Sequence, residues 1–207
     1  MEFVTPVIIQ VLSLAQPDFG VLRKAQRGDE RAFSLIVRAY ETPVYNYVMR
    51  LVGGDRSLAE DLTQEVFLRV YQGLPSFSLR SKFTTWLFQV TKNRVLDELR
   101  ASERRPRSVV AIEDMRPLEV VDAPFERVET MDAVWRGIAN LNVDLKMALL
   151  LRDVVGLSYT EIADALEITL ATVKWRIYKA REEVQLALAR EGITFGTEDE
   201  VPAVTSA

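Results

Sequence analysis

The sequence predicts an all-α chain, two small helical domains joined by a flexible acidic linker, on three observations. Apolar residues recur at three- and four-residue spacing from Phe19 to Ile177, and no run alternates as a strand would. Two S-x-x-E boxes, Ser57/Glu60 and Ser158/Glu161, mark helix starts. Between the periodic stretches lies a segment with Pro117, Pro124, many acids and little periodicity. The boundaries read as an N-terminal arm over 1–17, a first domain over 18–105, the linker over 106–127, a second domain over 128–190 and an acidic tail over 191–207.

After Gln16-Pro17-Asp18 a helix begins with Phe19, Leu22 and Ala25 on one face, and Gly28-Asp29 stops it. Ala32, Phe33, Ile36, Val37 and Tyr40 form the next apolar stripe. Pro43 is expected to open a separate helix carrying Val44, Tyr47, Val48 and Leu51, ended by Gly53-Gly54. The helix from Leu58 to Gln72, capped by Ser57, turns Ala59, Leu62, Val66 and Val70 inward, with Phe67 partly so. Asp61, Gln64, Glu65 and Leu68 project from its opposite side, either as a solvated face or as a protein-docking face.

Leu74 to Ser81, LPSFSLRS, reads as a loop. A helix from about Lys82 to Arg100 follows, with Phe83, Trp86, Leu87 and Val90 on one side and Phe88, Val95 and Leu99 nearly opposite, so it is sandwiched between neighbours. Its remaining strip holds Lys82, Thr85, Gln89, Lys92, Asn93 and Arg100. Such a strip is usually a solvated face. Beside a serine-aromatic loop it also suits single-stranded DNA, with cations tracking phosphates and the loop holding an unstacked base. Arg104-Arg105-Pro106-Arg107 closes this half.

Past the linker, Val128, Met131, Val134, Trp135 and Ile138 mark one helix and Leu145, Ala148, Leu149 and Leu151 the next. Then comes GLSYTEIADALEITLATVKWRIYKAR, two short helices joined by the connector Glu167-Ile168-Thr169. Ser158 and Glu161 cap the first and Thr169 the second. Ala163, Val173 and Ile177 have the relative placement of a helix-turn-helix core, and a small residue at Ala163 lets the helices cross closely. The second helix turns Thr172, Lys174, Trp175, Arg176, Tyr178, Lys179 and Arg181 outward, the make-up of a helix that enters a DNA major groove, although an ordinary basic hairpin has the same pattern. The turn at Glu167 calls for positive φ, which costs a non-glycine residue about 1 kcal/mol, so Glu167→Gly is expected to stabilise this unit.

Composition narrows the chemistry. The 207 residues contain no cysteine and no histidine, which excludes disulfides, thiolate chemistry, a Ser-His-Asp triad and a His-bearing zinc site. No phosphate-binding loop is present, so no catalysis, cofactor, metal or small-molecule substrate is expected. The formal net charge of −4 hides a segregation. Residues 113–132 hold seven acids against two arginines, and residues 191–207 hold four acids and no base, which leaves the rest net basic. The apolar run Val4–Leu14 is broken by Pro6, lacks a preceding Lys or Arg, and is too short to span a membrane. The chain is read as cytoplasmic, without membrane insertion.

DLTQEVFLRVY followed by FTTWLFQVTKNRVLDELR, and then GLSYTEIADAL with TVKWRIYKAR, lie in this order around an acidic linker. Together they resemble the extracytoplasmic-function (ECF) sigma factors of bacterial RNA polymerase, over about residues 18–190. The resemblance implies that 18–105 is the σ2 domain and 128–190 the σ4 domain. It implies that Asp61, Gln64, Glu65 and Leu68 grip the β′ clamp coiled coil of core polymerase, with σ4 on the β flap. Phe77, Ser78, Arg80, Lys82, Gln89, Lys92, Asn93 and Arg100 would read and open the −10 element. Thr172, Lys174, Trp175, Arg176, Tyr178, Lys179 and Arg181 would read the −35 element. Trp86 would be mainly a core residue. The linker would thread the polymerase cleft, and an anti-sigma factor would be a further partner, with nucleoid association in the holoenzyme. Two positions depart from the pattern: Glu167 stands for the turn glycine, and Trp175 where the family more often has serine. The rival readings are a stand-alone helix-turn-helix regulator that needs no polymerase, and a helical enzyme using Asp61 and Glu65.

Overall fold

The computed structural model describes residues 14–103 and 125–193. The linker over 106–127 therefore falls largely outside the described residues, as do most of the arm and of the acidic tail. Among the described residues all regular structure is helical: α1 (Phe19–Gln26), α2 (Glu30–Leu51), α3 (Arg56–Gly73), a short 3-10 turn (Leu74–Ser76), α4 (Phe83–Glu103), α5 (Phe125–Ala139), α6 (Val143–Asp153), α7 (Tyr159–Leu166) and α8 (Leu170–Arg190).

In the first half α1 packs on α2, α2 on α3 and α3 on α4, and α2 also meets α4. Asp18 starts α1 by accepting the amides of Gly20 and Val21, and Asp29 starts α2 by accepting that of Ala32. Three details differ from the sequence expectation. Phe19 does not join Leu22 and Ala25 in the core; it is exposed, with the Arg23 guanidinium 5.2 Å from its ring centroid. Pro43 opens no new helix, because α2 runs unbroken through it. Proline removes one amide donor, but Ile36, Tyr40, Val44, Tyr47, Val48 and Leu51 make one continuous buried stripe across it, and that burial holds the two segments in line. Finally, α3 starts at Arg56 with Asp55 as its cap, accepting from Leu58 N, so Ser57 lies within the first turn.

The second half stacks α5 and α6 on α8, with α7 between α6 and α8. α5 starts at Phe125, three residues inside the span read as linker. Gly137 lets α5 approach α8: a Cβ there would meet Val184 Cγ1 at 3.4 Å. The buried Lys146 runs under the end of α5 and donates to the Ala139 carbonyl at 2.7 Å, and burial holds its pKa below the ordinary lysine value. The buried residues of both halves form one contiguous core, because α4 packs against α7 and α2 against α6.

Candidate functional site

The candidate residues lie on three faces, the first of them on α3. Ala59, Leu62, Val66 and Val70 are fully buried on its inner side. Asp61, Gln64, Glu65 and Leu68 are all exposed on the other, as the 3.6-residue period requires, and Leu68 is 57% exposed. Arg94, which the sequence reading missed, fixes one of the four. Its guanidinium, on α4, donates through Nε to Glu65 and through Nη2 to Glu98 at 2.9 Å. The hydrogen bond from Arg94 holds the Glu65 carboxyl below its ordinary pKa. An Arg94/Glu98 pair at i,i+4 was the available sequence signal.

The second face is the loop and strip before and along α4. Gln26 clamps the loop from α1 by donating to the carbonyls of Leu74 at 3.2 Å and Phe77 at 2.9 Å. Phe77, which the resemblance counts among the −10 readers, is buried, stacked on Trp86 at a centroid distance of 4.8 Å and edge-on to Phe83 at 6.1 Å. An aromatic beside a serine-rich loop carries no signal of which way it turns, and the core claims this one. Trp86 is half-buried there, with Gly73 leaving room: a Cβ would lie 3.1 Å from Trp86 Cζ2. Pro75, Ser76, Ser78, Leu79, Arg80 and Ser81 of the loop are exposed, as is Lys82 after it.

The strip on α4 is not all solvent-facing. Lys82, Asn93 and Arg100 are exposed, Gln89 is half-buried, and Thr85 and Lys92 are buried. What covers Lys92 is the helix-turn-helix: its ammonium pairs with Glu167 Oε2 at 2.6 Å. Lys82 pairs with Glu161 Oε1 at 2.9 Å. Hydrogen bonding and charge from Lys92 hold Glu167 below its ordinary pKa. Burial pushes the Glu161 carboxyl up, but hydrogen bonds from Ser158 and Lys82 outweigh it and leave the group lowered.

The third face is α8. The motif folds as its sequence predicts. Ser158 and Glu161 form both halves of the capping box, Thr169 caps α8 by accepting Thr172 N, and Val173 and Ile177 are buried. Glu167 sits at φ 59°, ψ 43°, left-handed, with its amide donating to the carbonyls of Ala163 and Asp164. Lys174, Trp175 and Tyr178 are exposed, Trp175 by 60%. Thr172, Arg176, Lys179 and Arg181 have partners within the chain. Thr172 is half-buried with its hydroxyl 2.8 Å from that of Thr169, and Lys179 pairs with Glu182 at 2.7 Å. Arg176 pairs with Asp144 at 2.8 Å, and Arg181 with the buried Asp153 at 2.6 Å. Arg181 thus anchors α8 to α6, a role that helical spacing alone did not separate from groove contact.

No helix among the described residues is long and apolar enough to cross a membrane. Residues 36–105 match the family model described as Sigma-70 region 2, and residues 131–184 that described as Sigma-70, region 4. The chain is 35% identical over 183 residues to the RNA polymerase sigma-H factor of Pseudomonas aeruginosa, covering 84% of this chain and 94% of that one. It is 37% identical over 178 residues to the ECF RNA polymerase sigma-E factor of Escherichia coli K12, covering 81% of this chain and 92% of the relative. Two solved structures share the fold. CnrH in complex with the cytosolic domain of CnrY has TM-score 0.62 and 22% identity, covering 83% of this chain and 96% of that one. The sigma factor RpoE in complex with the anti-sigma factor NepR from Bartonella quintana has TM-score 0.61 and 21% identity, covering 76% and 96%. With both sigma regions matched in order and nearly the full length of its relatives spanned, the chain belongs to the ECF sigma factors of RNA polymerase.

Proposed function

We propose that the first half, about residues 18–105, docks on core RNA polymerase and opens the −10 element, while the second, about 128–190, reads the −35 element. Asp61, Gln64, Glu65 and Leu68 would meet the β′ clamp coiled coil. An exposed leucine ringed by two carboxylates and an amide suits a basic helical partner with an apolar seam. Lys174, Trp175 and Tyr178 would enter the major groove, with the indole against thymine methyls and sugar and the ammonium on phosphate. Ser78, Arg80, Lys82, Asn93 and Arg100 would hold the opened non-template strand, joined by Gln89 and Lys92 once these are uncovered. Phe77 would support that loop from beneath, and Thr172, Arg176, Lys179 and Arg181 would set the pose of α8. The second half would rest on the β flap. Polymerase does the chemistry and this chain supplies binding energy and sequence selection, with no catalysis or cofactor of its own, in the cytoplasm and at the nucleoid in the holoenzyme. An anti-sigma factor is a further expected partner, as both solved relatives with this fold were captured with another chain and one is named an anti-sigma factor.

The observation that carries this reading is the exposure of all four α3 residues on one face, opposite a fully buried one. Its test is co-purification with core polymerase. Asp61→Ala with Leu68→Ala should reduce capture at least about tenfold, the loss of one or two interface hot spots, while circular dichroism and melting stay unchanged. Wild-type capture by the folded variant would refute the docking face. Glu65 is better tested as Glu65→Gln, because Glu65→Ala strips a partner from the buried Arg94.

A further inference from the structure

The outward strip of α8 is poor in the groups that read bases by hydrogen bonds. From Leu170 to Ala180 the exposed residues are Leu170, Ala171, Lys174, Trp175 and Tyr178. They form two adjacent ridges stepping four residues at a time, Leu170, Lys174 and Tyr178 on one and Ala171 and Trp175 on the next. Lys174 is the one charge among them, and the strip holds no Arg, Asn, Gln, Asp or Glu, the side chains that pair with base edges. Arg176 lies off the strip, with its guanidinium held by Asp144 of α6 at 2.8 Å.

The strip offers apolar surface instead. Trp175 is 60% exposed, Tyr178 51% and Leu170 40%, with the Ala171 methyl beside them. Apolar side chains gathered in one exposed patch mark a binding face. Its occupant is a DNA major groove. The strip starts at the first residue of the second helix of a helix-turn-helix, the end that meets base edges, and lies within the segment matched to Sigma-70, region 4. Lys174 within it and Lys179 at its edge supply positive charge for the flanking phosphates. In that groove one apolar group tells the bases apart, the C5-methyl of thymine. Cytosine has hydrogen at the same ring position, and 5-methylcytosine has the same methyl as thymine. An indole, which donates one hydrogen bond and accepts none, is better matched to that methyl than to the acceptor-and-donor pattern of a base edge.

We propose that Leu170, Ala171, Trp175 and Tyr178 are a methyl reader: the second half selects its promoter element by C5-methyl groups on pyrimidines, and methylation of cytosine within the element changes promoter choice. The proposal rests on the assignment of α8 to the −35 element. It adds the chemical feature that is read and a covalent mark on DNA that regulates the reading. Exchange of a read thymine for cytosine loses the contact, and methylation of that cytosine returns it.

The test uses holoenzyme, the full chain with core polymerase, on duplex promoters whose upstream element has been located by footprinting. Each thymine of the element is replaced in turn by deoxyuracil, which pairs in the same way and lacks only the methyl. At each of these positions a C·G pair is also compared with 5-methylcytosine·G. Deoxyuracil at one or more positions should weaken binding about fourfold, the effect of returning one methyl-sized group to water. At such a position 5-methylcytosine should bind more tightly than cytosine by a similar factor. Trp175→Ser should lose the discrimination at the thymine beneath the indole, and Trp175→Phe should keep it. The substituted side chain is exposed, so both variants should melt as wild type does. Equal binding of thymine and uracil elements, with the footprint on the element intact, would overturn the methyl reader and leave the −35 assignment standing. Discrimination unchanged in both Trp175→Ser and Leu170→Ser/Tyr178→Ser would overturn the assignment of the reading to this strip. A footprint untouched by Trp175→Ser and by Lys174→Ala would sink the −35 assignment and the proposal with it. Self-association of the free chain that Trp175→Ser abolishes, with uracil bound as tightly as thymine, would give the strip to a second copy and likewise overturn the proposal.

Discussion

Glu167 shows how one residue can obey two demands. Its backbone is left-handed, which costs a non-glycine residue about 1 kcal/mol. Read from sequence alone, that favours Glu167→Gly. The structure adds the other side: its carboxylate is the partner of a lysine whose side chain is only 7% exposed. Leaving a buried polar group unpaired costs about 1–3 kcal/mol, and glycine also loosens the unfolded chain. In the full chain Glu167→Gly should therefore melt no higher than wild type. The backbone relief should emerge only where the lysine is gone, with Lys92→Met/Glu167→Gly more stable to unfolding than Lys92→Met by about 1 kcal/mol. A single Glu167→Gly variant that melts several degrees higher would mean that the ion pair contributes nothing. The carboxylates also set a pH dependence. Glu65, Glu161 and Glu167 are held below the ordinary value of 4.5 in the folded chain. Groups lowered on folding stabilise fully above that value and lose the contribution as pH falls through their lowered pKa. Melting temperature should drop between pH 5 and pH 3, and the drop should shrink when Glu167 is replaced by glutamine; a drop unaffected by Glu167→Gln would remove this residue from the linkage.

At the scale of elements, local signals were legible and tertiary ones were not. The capping box at Ser158, the cap at Thr169 and the positive φ at Glu167 are short-range chemistry, and all three appear as the residues dictate. The breaks at Pro43 and Ser57 were misread because neighbours decided them: a buried stripe carries α2 through the proline, and Asp55 captures the start of α3 two residues early. The same limit governs α8, where period alone put seven residues outside but ion pairs with α6 draw in Arg176 and Arg181. Lys174, Trp175 and Tyr178 are the exposed members of the seven, and in the proposed reading they would make the groove contact. Trp175→Ala should weaken upstream-element binding by the holoenzyme about tenfold at unchanged stability, while Lys174→Ala should weaken binding to all sequences alike and reduce the salt slope by about 1. Footprints on the upstream element that survive both substitutions would move the reading helix elsewhere. For α4, the sandwich between two apolar faces was foreseeable, but burial of Lys92 was not. No pattern within a helix announces that a distant turn will cover it.

For the whole molecule, segregation of charge matters more than its sum. A chain of net charge −4 carries basic strips on α4 and α8 and acidic segments elsewhere in the sequence, and α7 brings two of its acids against two of its bases. The two helical halves, their order and the helix-turn-helix could be read without coordinates because each is written in local spacing. Their mutual packing could not, since α4 against α7 joins residues about seventy positions apart. Two helical modules on one chain suit a sigma factor that selects promoters for RNA polymerase. The most direct measurement is in vitro transcription with purified core polymerase and this chain on a library of genomic fragments. The account predicts new start sites preceded by two motifs at a fixed spacing, lost with Asp61→Ala/Leu68→Ala. Transcripts no more numerous than from core polymerase alone would contradict it.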